Sequence, residues 1–211
     1  IGYGVVVGKD ADDWRGIFEF AREMGLAFVN CEPPAADVPL IDRLAKEYGV
    51  RVAIHNHPKP SHYWNPETVL DAAKLAGGGD AWMACGDTGH WVRSGLEPVD
   101  CLNKLEGRLG FMHCKDLNEP GPRAHDVPWG TGVNDVWAEL LELKRQQWRG
   151  SVLIEYEAWP EDRVDEIRQS VDFFNLAAAA LDDAGWQPLF GEDLKGAQFA
   201  EGGWAERGGE L

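Results

Sequence analysis

The sequence predicts an α/β fold in which buried parallel strands alternate with amphipathic helices. Short apolar runs recur along the chain, as they do in the strands of a sheet that is covered on both faces. Between these runs, apolar residues follow the three- and four-residue spacing of one helix face. This alternation is typical of parallel βα units, because a helix returns the chain to the start of the next strand.

Six apolar runs are predicted to be strands, and they occupy residues 1–7, 26–31, 50–54, 81–85, 109–114 and 151–156. Two helices are indicated by apolar residues spaced for one helix face, namely Trp14, Ile17, Phe18 and Ala21, and then Ile41, Leu44, Ala45 and Tyr48. Two more begin at Asn65-Pro66 and Glu97-Pro98, where proline takes the first helical position. A last, longer helix is marked by Val164, Ile167, Val171 and Phe174.

Six βα units are fewer than the eight of a closed (β/α)8 or TIM barrel, which typically has about 250 residues. The chain has 211 residues. We therefore expect residues 1–183 to form an incomplete TIM barrel that lacks the first two units. The chain begins with Ile1 rather than Met, which agrees with a missing N-terminal piece.

The composition argues against several classes of partner. With 20 Lys and Arg against 36 Asp and Glu, the net charge is −16, so we expect no nucleic-acid partner. No apolar run approaches the roughly 18 residues of a membrane-spanning helix, so we expect no membrane partner and a soluble protein of the cytoplasm or periplasm. The four cysteines form no Cys-x-x-Cys motif and are expected to be small buried apolar residues.

Polar side chains of catalytic and metal-binding types follow five successive predicted strands. They are Glu32 after the second strand, His55 and His57 after the third, Asp87 and His90 after the fourth, His113 and Lys115 at the fifth, and Glu155 at the sixth. In a parallel barrel the active site lies at the carboxyl ends of the strands. The pattern therefore predicts one shared site.

The candidate metal ligands come from four different strands and are His55, Asp87, His113 and Glu155. Imidazole and carboxylate together suit zinc, manganese, cobalt or iron better than magnesium or calcium, which prefer oxygen ligands. Two carboxylates neutralise the charge of one divalent ion. We therefore expect one divalent metal ion as the cofactor.

Several motifs resemble those of the sugar phosphate isomerase/epimerase family of xylose isomerase-like TIM barrels. They are His-x-Lys-Asp at 113–116, Asp-Thr-Gly-His at 87–90, the late Glu155, and a loop at 126–132 similar to the family's Pro-x-Gly-x-Gly loop. The resemblance covers residues 1–183 and implies an isomerase or epimerase that acts on a small-molecule carbohydrate by proton transfer next to a carbonyl group. It also implies that the four residues above hold the metal and that His90 faces the substrate.

One position departs from the family pattern. The epimerases carry a glutamate in a Glu-Asn-His string, whereas this chain has His55-Asn56-His57. Of the two metal-bound glutamates that act as acid and base in those enzymes, only Glu155 is kept. We expect Glu155, His57 and Lys115 to be the catalytic residues. The alternatives are that His57 positions its neighbour and that Lys115 forms a salt bridge with a loop carboxylate.

Substrate contacts are expected from Glu32, His90, Trp91 and Trp129. The two tryptophans follow strand ends directly, where an aromatic ring would suit the apolar face of a sugar. Ordinary loop packing is the alternative for both tryptophans. A salt bridge or a role in proton transfer is the alternative for Glu32.

Residues 184–211 change in texture, because glycine recurs there and no further βα unit is indicated. The segment from Gly185 to Leu194 resembles the opening of a β-sandwich of the 3-keto-disaccharide hydrolase type. We expect residues 184–211 to be a linker and the start of a truncated second domain.

Three other functions stay open. Loss of a β-substituent after the same proton abstraction would make the protein a lyase, or a hydrolase, acting on keto-sugar glycosides. A barrel that binds a sugar without turnover would be a sugar-binding module. An apurinic-endonuclease-like phosphodiesterase shares the barrel but is disfavoured by the net charge of −16.

Overall fold

The computed structural model describes residues 2–157 and 163–181 of the chain. Its strands are β1 (Gly2–Val6), β2 (Phe28–Cys31), β3 (Arg51–His55), β4 (Trp82–Asp87), β5 (Leu109–Cys114), β6 (Asp116–Leu117), β7 (Asp126–Val127) and β8 (Ser151–Ile154). Six of them form one parallel sheet with the order β1-β2-β3-β4-β5-β8, and β6 and β7 form a short antiparallel pair. The predicted α/β fold is confirmed. The predicted linker and second domain at 184–211 lie outside the described residues.

The helices that connect these strands pack against one side of the sheet. They are α1 (Ala11–Glu23), α2 (Val38–Tyr48), α3 (Pro66–Leu75), α4 (Thr88–Arg93), α5 (Pro98–Lys104), α6 (Val136–Arg145) and α7 (Val164–Leu181). The helix starts predicted at Pro66 and Pro98 are confirmed. The start of α3 is capped by Asn65, whose Oδ1 accepts a hydrogen bond from the backbone N–H of Thr68 at 2.9 Å.

The main core lies between the sheet and its helices. It joins Trp14 and Phe18 of α1 to buried strand residues such as Val52 and Trp82. A smaller apolar cluster lies on the opposite, concave face of the sheet, where the rings of Phe28 and Phe111 stack with centroids 4.5 Å apart. Both faces of the central strands are therefore covered, which explains their nearly continuous apolar runs.

The sheet register places the candidate ligands on one face. His55 pairs with Cys85, and Asp87 stands two residues beyond Cys85 on the same strand. Asp87 in turn pairs with His113, and His113 pairs with Leu153, two residues before Glu155. Because side chains two residues apart on a strand share a face, and paired residues lie side by side, all four ligands point the same way.

The last helix is present as predicted, but of the four apolar residues that mark it only Phe174 packs against the core, and the other three face outward. Val164, Ile167 and Val171 are 55%, 36% and 41% exposed, whereas Ser170 and Ala177 are buried. The Ser170 hydroxyl accepts a hydrogen bond from the backbone N–H of Trp129 at 3.2 Å, and this contact turns the Ser170 side of α7 toward the protein.

None of the helices in the described part of the chain combines the length and the apolar character that a membrane span requires.

Glu139 of α6 is a carboxylic acid buried outside the candidate site. Its side chain contacts Asn134 Nδ2 at 3.4 Å and Cys114 Sγ at 3.7 Å. Burial raises the pKa of Glu139 to about 8. In the unfolded chain the same group ionises near its ordinary pKa of about 4.3. The folded state therefore keeps a proton that the unfolded state loses, so this group lowers the stability as the pH rises between these two values.

Replacing Glu139 by glutamine should remove that pH dependence. We expect Glu139→Gln to raise the melting temperature more at about pH 8 than at about pH 5, because only the carboxyl group opposes burial as it ionises. Thermal unfolding followed by circular dichroism measures the difference. Glu142→Gln is the control on the same helix, because Arg145 lowers the pKa of Glu142 and its effect should be the same at both pH values. An equal effect of Glu139→Gln at both pH values would contradict the assignment.

Candidate metal and catalytic site

The four predicted metal ligands meet at the carboxyl ends of β3, β4, β5 and β8. His55, Asp87, His113 and Glu155 each offer one ligand atom, and these atoms all lie within 4.8 Å of one another. Nε2 of His55 lies 3.2 Å from Nδ1 of His113. That Nδ1 atom lies 2.5 Å from Oε2 of Glu155 and 3.9 Å from Oδ2 of Asp87. We call these four residues the ligand cluster.

The ligand cluster fits a divalent cation. Two of its carboxylate oxygens, Asp87 Oδ2 and Glu155 Oε2, are buried and make no hydrogen bond of suitable geometry, although nearly all buried polar atoms in proteins do. Two nitrogen ligands of one tetrahedral zinc ion lie about 3.3 Å apart, since each Zn–N bond is about 2.0–2.1 Å long. The 3.2 Å between Nε2 of His55 and Nδ1 of His113 matches this spacing. Two imidazoles with two carboxylates suit a transition metal ion.

Asp87 is fixed by the neighbouring strand and by the helix that it begins. Its backbone N–H donates to Oδ1 of Asn56 at 2.7 Å, and Nδ2 of Asn56 donates to its backbone carbonyl at 2.9 Å. Asp87 Oδ1 accepts a hydrogen bond from the backbone N–H of His90 at 2.8 Å and so caps α4. Only Oδ2 is left to face the ligand cluster.

Lys115 is a fully buried cation beside the ligand cluster. Its Nζ lies 2.9 Å from Asp87 Oδ2, 3.3 Å from Glu155 Oε2 and 2.8 Å from Glu157 Oε2. Burial opposes the charge of Lys115, but Asp87 and Glu155 raise its pKa above the ordinary value. Burial also opposes ionisation of Glu155, but the contact with His113 and the charge of Lys115 hold the pKa of Glu155 well below its usual range. The ammonium group and the Glu155 carboxylate are therefore both charged.

Thr88 and Gly89 make the seat of Lys115. The hydroxyl of Thr88 accepts a hydrogen bond from the backbone N–H of Lys115 at 3.1 Å. It also donates one to the backbone carbonyl of Lys115 at 3.2 Å. A Cβ atom on Gly89 would lie 2.7 Å from Cβ and 2.8 Å from Cδ of Lys115. The glycine of the Asp-Thr-Gly-His motif therefore leaves the space through which the lysine side chain passes.

Glu32 and His57 form a carboxylate–imidazole pair at the ends of β2 and β3. Oε1 of Glu32 is in close contact with Nδ1 of His57, and Oε2 accepts a hydrogen bond from the Ser61 hydroxyl at 2.8 Å. The hydrogen bond that His57 donates to Glu32 raises the pKa of His57. Burial opposes ionisation of Glu32, but its contacts with His57 and Ser61 lower its pKa overall. Glu32, a predicted substrate-binding residue, thus contacts His57, a predicted catalytic residue, directly.

His90 lies between His57 and Lys115. Its ring centroid is 5.1 Å from that of His57, and its Nε2 is 3.5 Å from Lys115 Nζ. Burial and then the charge of Lys115 lower the pKa of His90 to about 2, and burial lowers that of His55 to about 3. Both imidazoles are therefore neutral at ordinary pH, and the neutral form can bind a metal or a polar substrate group.

Three charged residues that the sequence analysis missed surround Lys115 and His90. Arg93 Nη1 lies 2.6 Å from Glu157 Oε2, and Nη2 lies 3.6 Å from Asp126 Oδ2. The backbone N–H of Glu157 donates to the same Asp126 oxygen at 2.8 Å. Two of them carry a signal in the sequence, because Arg93 stands one helical turn after His90, and Glu157 stands two residues after Glu155.

The structure places the other two predicted substrate residues in the apolar core. Trp91 is 1% exposed and Trp129 is 4% exposed. The ring of Trp129 packs edge-on against that of Phe174 in α7, with centroids 6.3 Å apart. Packing therefore accounts for both side chains, and neither enters the site proposed below. Glu32, His57, His90 and Lys115, by contrast, lie together around the ligand cluster.

The loop between β7 and α6 is held by a single carboxylate. Asp116 Oδ1 accepts hydrogen bonds from the backbone N–H groups of Leu117 at 2.9 Å and Asn134 at 3.0 Å. Oδ2 accepts from the backbone N–H groups of Gly130 and Gly132, each at 2.9 Å. Three hydrogen bonds from this loop and one from β6 converge on one buried side chain, and they give the loop a fixed shape close to Asp126.

A parallel sheet with buried histidines and carboxylates at its carboxyl edge defines a barrel-type protein with a candidate metal site. A family model described as "Xylose isomerase-like TIM barrel" matches residues 5–177. The chain therefore belongs to the xylose isomerase-like TIM barrel family, which confirms the resemblance seen in its motifs. No curated protein matches the chain significantly.

Solved structures share this fold. An uncharacterised protein from Parabacteroides distasonis ATCC 8503 is 37% identical, with a TM-score of 0.62 over 83% of this chain and 69% of that one. The IOLI protein, solved with a zinc atom, is 17% identical, with a TM-score of 0.66 over 82% and 70% of the two chains. A D-allulose 3-epimerase from Methylomonas sp., solved with D-allulose, is 15% identical, with a TM-score of 0.64 over 79% and 68%. The latter two establish a common fold.

Replacing Gly89 by alanine tests the seat of Lys115. The added methyl group meets the base of the lysine side chain, which cannot rotate away, and overpacking of this kind costs about 1–3 kcal/mol. We expect Gly89→Ala to lower the free energy of unfolding in urea. Gly16→Ala is the control, because nothing lies within 4 Å of a Cβ at this position in α1. That variant should be more stable by about 0.5–1 kcal/mol. Equal effects of both substitutions would contradict this account.

Proposed function

We propose that this chain forms the active site of a metal-dependent sugar isomerase or epimerase that transfers a proton next to a carbonyl group. The observation that carries the proposal is the buried ligand cluster, in which two carboxylate oxygens make no suitable hydrogen bond. Two structural relatives support it, since one was solved with a zinc atom and the other is an epimerase solved with D-allulose. The proposed substrate is accordingly a small carbohydrate.

The ligand cluster would hold one divalent ion, of which zinc, manganese, cobalt and iron suit its donor set best. When bound, such an ion acts as a Lewis acid that polarises a sugar carbonyl and acidifies the neighbouring C–H bond. The protein must then supply a base that can reach this bond.

Glu155 is the base that we assign. Its side chain is 35% exposed, whereas the other carboxylate of the ligand cluster, Asp87, is fully buried. A substrate can therefore reach Glu155 but not Asp87. Because the pKa of Glu155 is held low, the carboxylate is ionised at neutral pH, which a base requires, and the acidified C–H bond compensates for its low basicity.

We assign Lys115 to stabilise the negative charge that develops when the proton is removed, and we assign His57 to return a proton to the substrate. The ammonium group of Lys115 lies 3.3 Å from Glu155 Oε2, so it can stabilise negative charge that develops on a substrate oxygen nearby. The side chain of His57 is 44% exposed and is held by Glu32, so it can return a proton to the substrate. His90, which is neutral and lies between them, is assigned to substrate binding.

The site of reprotonation determines the product. A proton returned to the same carbon from the other side gives an epimer, and a proton delivered to the neighbouring carbon gives an isomer. Loss of a β-substituent instead gives a lyase reaction on a keto-sugar glycoside. All three outcomes begin with the same abstraction by Glu155, so the first step is tested separately from the product.

The ligand cluster should determine the metal content of the protein. We expect elemental analysis of the purified protein to find about one transition metal ion per chain, with zinc or manganese the main candidates. Asp87→Asn and His113→Ala should each empty the site, because each removes one of four ligands. Glu139→Gln is the control, since it changes a buried carboxyl group that lies outside the ligand cluster. Full metal occupancy in both ligand variants would exclude this site.

Hydrogen exchange tests the proposed chemistry. In D₂O, the metal-loaded protein should incorporate deuterium into D-allulose or another free ketose of a test panel, as followed by proton NMR. Glu155→Gln should abolish the exchange. His57→Ala and Lys115→Ala should slow it about 10²–10⁴-fold, the usual contribution of one acid or base.

Glu67→Gln is the control for the exchange experiment, because it removes an exposed carboxylate on α3 that pairs with Lys104. This variant should exchange deuterium at the wild-type rate. Exchange at the wild-type rate in Glu155→Gln would contradict the assigned base. A metal-loaded wild-type protein that binds these ketoses without any exchange would instead be a sugar-binding module.

A further inference from the structure

His55 presents its two ring nitrogens to different surroundings. Nε2 lies 3.2 Å from His113 Nδ1, inside the ligand cluster. The side chain is only 1% exposed, so Nδ1 is shielded from water, and yet Nδ1 makes no hydrogen bond to the protein. In a neutral imidazole one nitrogen carries a proton and the other a lone pair, so which of them is protonated decides whether Nε2 can bind a metal.

The atom that faces the unpartnered Nδ1 belongs to Glu32. Oε1 of Glu32 lies 3.9 Å from Nδ1 of His55, and the same oxygen is in close contact with Nδ1 of His57. The centroids of these two imidazole rings are 4.5 Å apart. One carboxylate oxygen therefore faces the Nδ1 atoms of two histidines that lie two residues apart on the chain.

The Glu32 carboxylate is itself held in place. Its Oε2 accepts a hydrogen bond from the Ser61 hydroxyl at 2.8 Å, and that hydroxyl oxygen accepts one from the backbone N–H of Tyr63 at 3.2 Å. The phenolic hydroxyl of Tyr63 donates to the backbone carbonyl of Pro33 at 2.7 Å. These bonds join the segment after β2 to the loop after β3, so Oε1 has a defined direction.

We propose that Glu32 is a positioning residue that keeps the proton of His55 on Nδ1 and thereby directs the lone pair of Nε2 into the ligand cluster. At 3.9 Å the contact between Glu32 and His55 is electrostatic and is not a hydrogen bond. A negative charge beside one nitrogen of an imidazole still attracts the proton to that nitrogen and leaves the lone pair on the other, as the hydrogen-bonded carboxylates around metal-bound histidines do. The same carboxylate oxygen orients His57 through its Nδ1. This inference rests on the proposed metal-dependent function, but it concerns a state of His55 that is measurable without metal.

Nitrogen NMR of the imidazole rings in the metal-free protein measures this state directly. We expect His55 in the wild-type protein to carry its proton on Nδ1, and we expect Glu32→Gln to shift the population toward the form protonated on Nε2. A wild-type His55 protonated on Nε2 would overturn the proposal. So would a Glu32→Gln variant that is folded, as judged by its melting curve, and has an unchanged tautomer.

Metal affinity supplies a second readout. Titration calorimetry with Zn²⁺ should show weaker binding in Glu32→Gln than in the wild type, by up to about 10-fold, since about 10–100-fold is the usual effect of removing a hydrogen-bonded partner of a metal-bound histidine. Glu157→Gln is the matched control, because it removes a carboxylate at the edge of the same site that contacts Lys115 and Arg93 but neither His55 nor His57. Equal losses in the two variants would mean that only general charge matters, and would overturn the proposal.

The two readouts separate this inference from the proposed function. A wild-type protein that binds no Zn²⁺ contradicts the metal-dependent function, while the tautomer of His55 still decides the role of Glu32. A Glu32→Gln variant that binds Zn²⁺ as tightly as the wild type overturns the role of Glu32 and leaves the proposed function intact.

Discussion

Charges that leave water must be paired, and this constraint organises the carboxyl edge of the sheet. The ammonium group of Lys115 is fully buried and contacts the carboxylates of Asp87, Glu155 and Glu157. Burying such a group costs several kcal/mol, and replacing buried ion pairs by apolar residues is often neutral or stabilising. Stability alone therefore does not explain this network, and its position beside two neutral imidazoles favours a chemical role. The parallel register and Gly89 are what allow the charges to meet.

Most of the fold could be predicted because burial leaves a direct mark on the sequence. Strands covered on both faces become apolar runs, and Pro66 and Pro98 mark helix starts through the fixed geometry of proline. The short helix α4 was missed, because its six residues begin inside the Asp-Thr-Gly-His motif and show no apolar period. Strands β6 and β7 have two residues each, which is too few for any periodic signal.

The candidate site was predictable to the extent that position along a strand determines position in space. His55, Asp87, His113 and Glu155 stand at successive strand ends, and the structure brings them together. The direction of a side chain beyond a strand end does not follow from its position, and for that reason Trp91 was expected at the site but packs in the core. Contacts between neighbouring strand ends, such as that of Glu32 with His57, depend on register and loop shape, which single-sequence patterns do not contain.

The hydrogen bonds of Asp116 have a consequence for engineering. Within the loop from 128 to 134 this carboxylate binds backbone N–H groups, so it places no demand on most side chains there. Gly130 and Gly132 are exceptions, because a Cβ atom would lie 2.5 Å from the ring of Phe173 at the first position and 2.3 Å from Asp116 Oδ1 at the second. Val133 is exposed and could be randomised in a library while the loop keeps its shape, whereas the Thr131 hydroxyl donates to the backbone carbonyl of Pro128 at 2.7 Å. Such a library would sample new surfaces at the rim of the barrel without changing the backbone conformation of the loop.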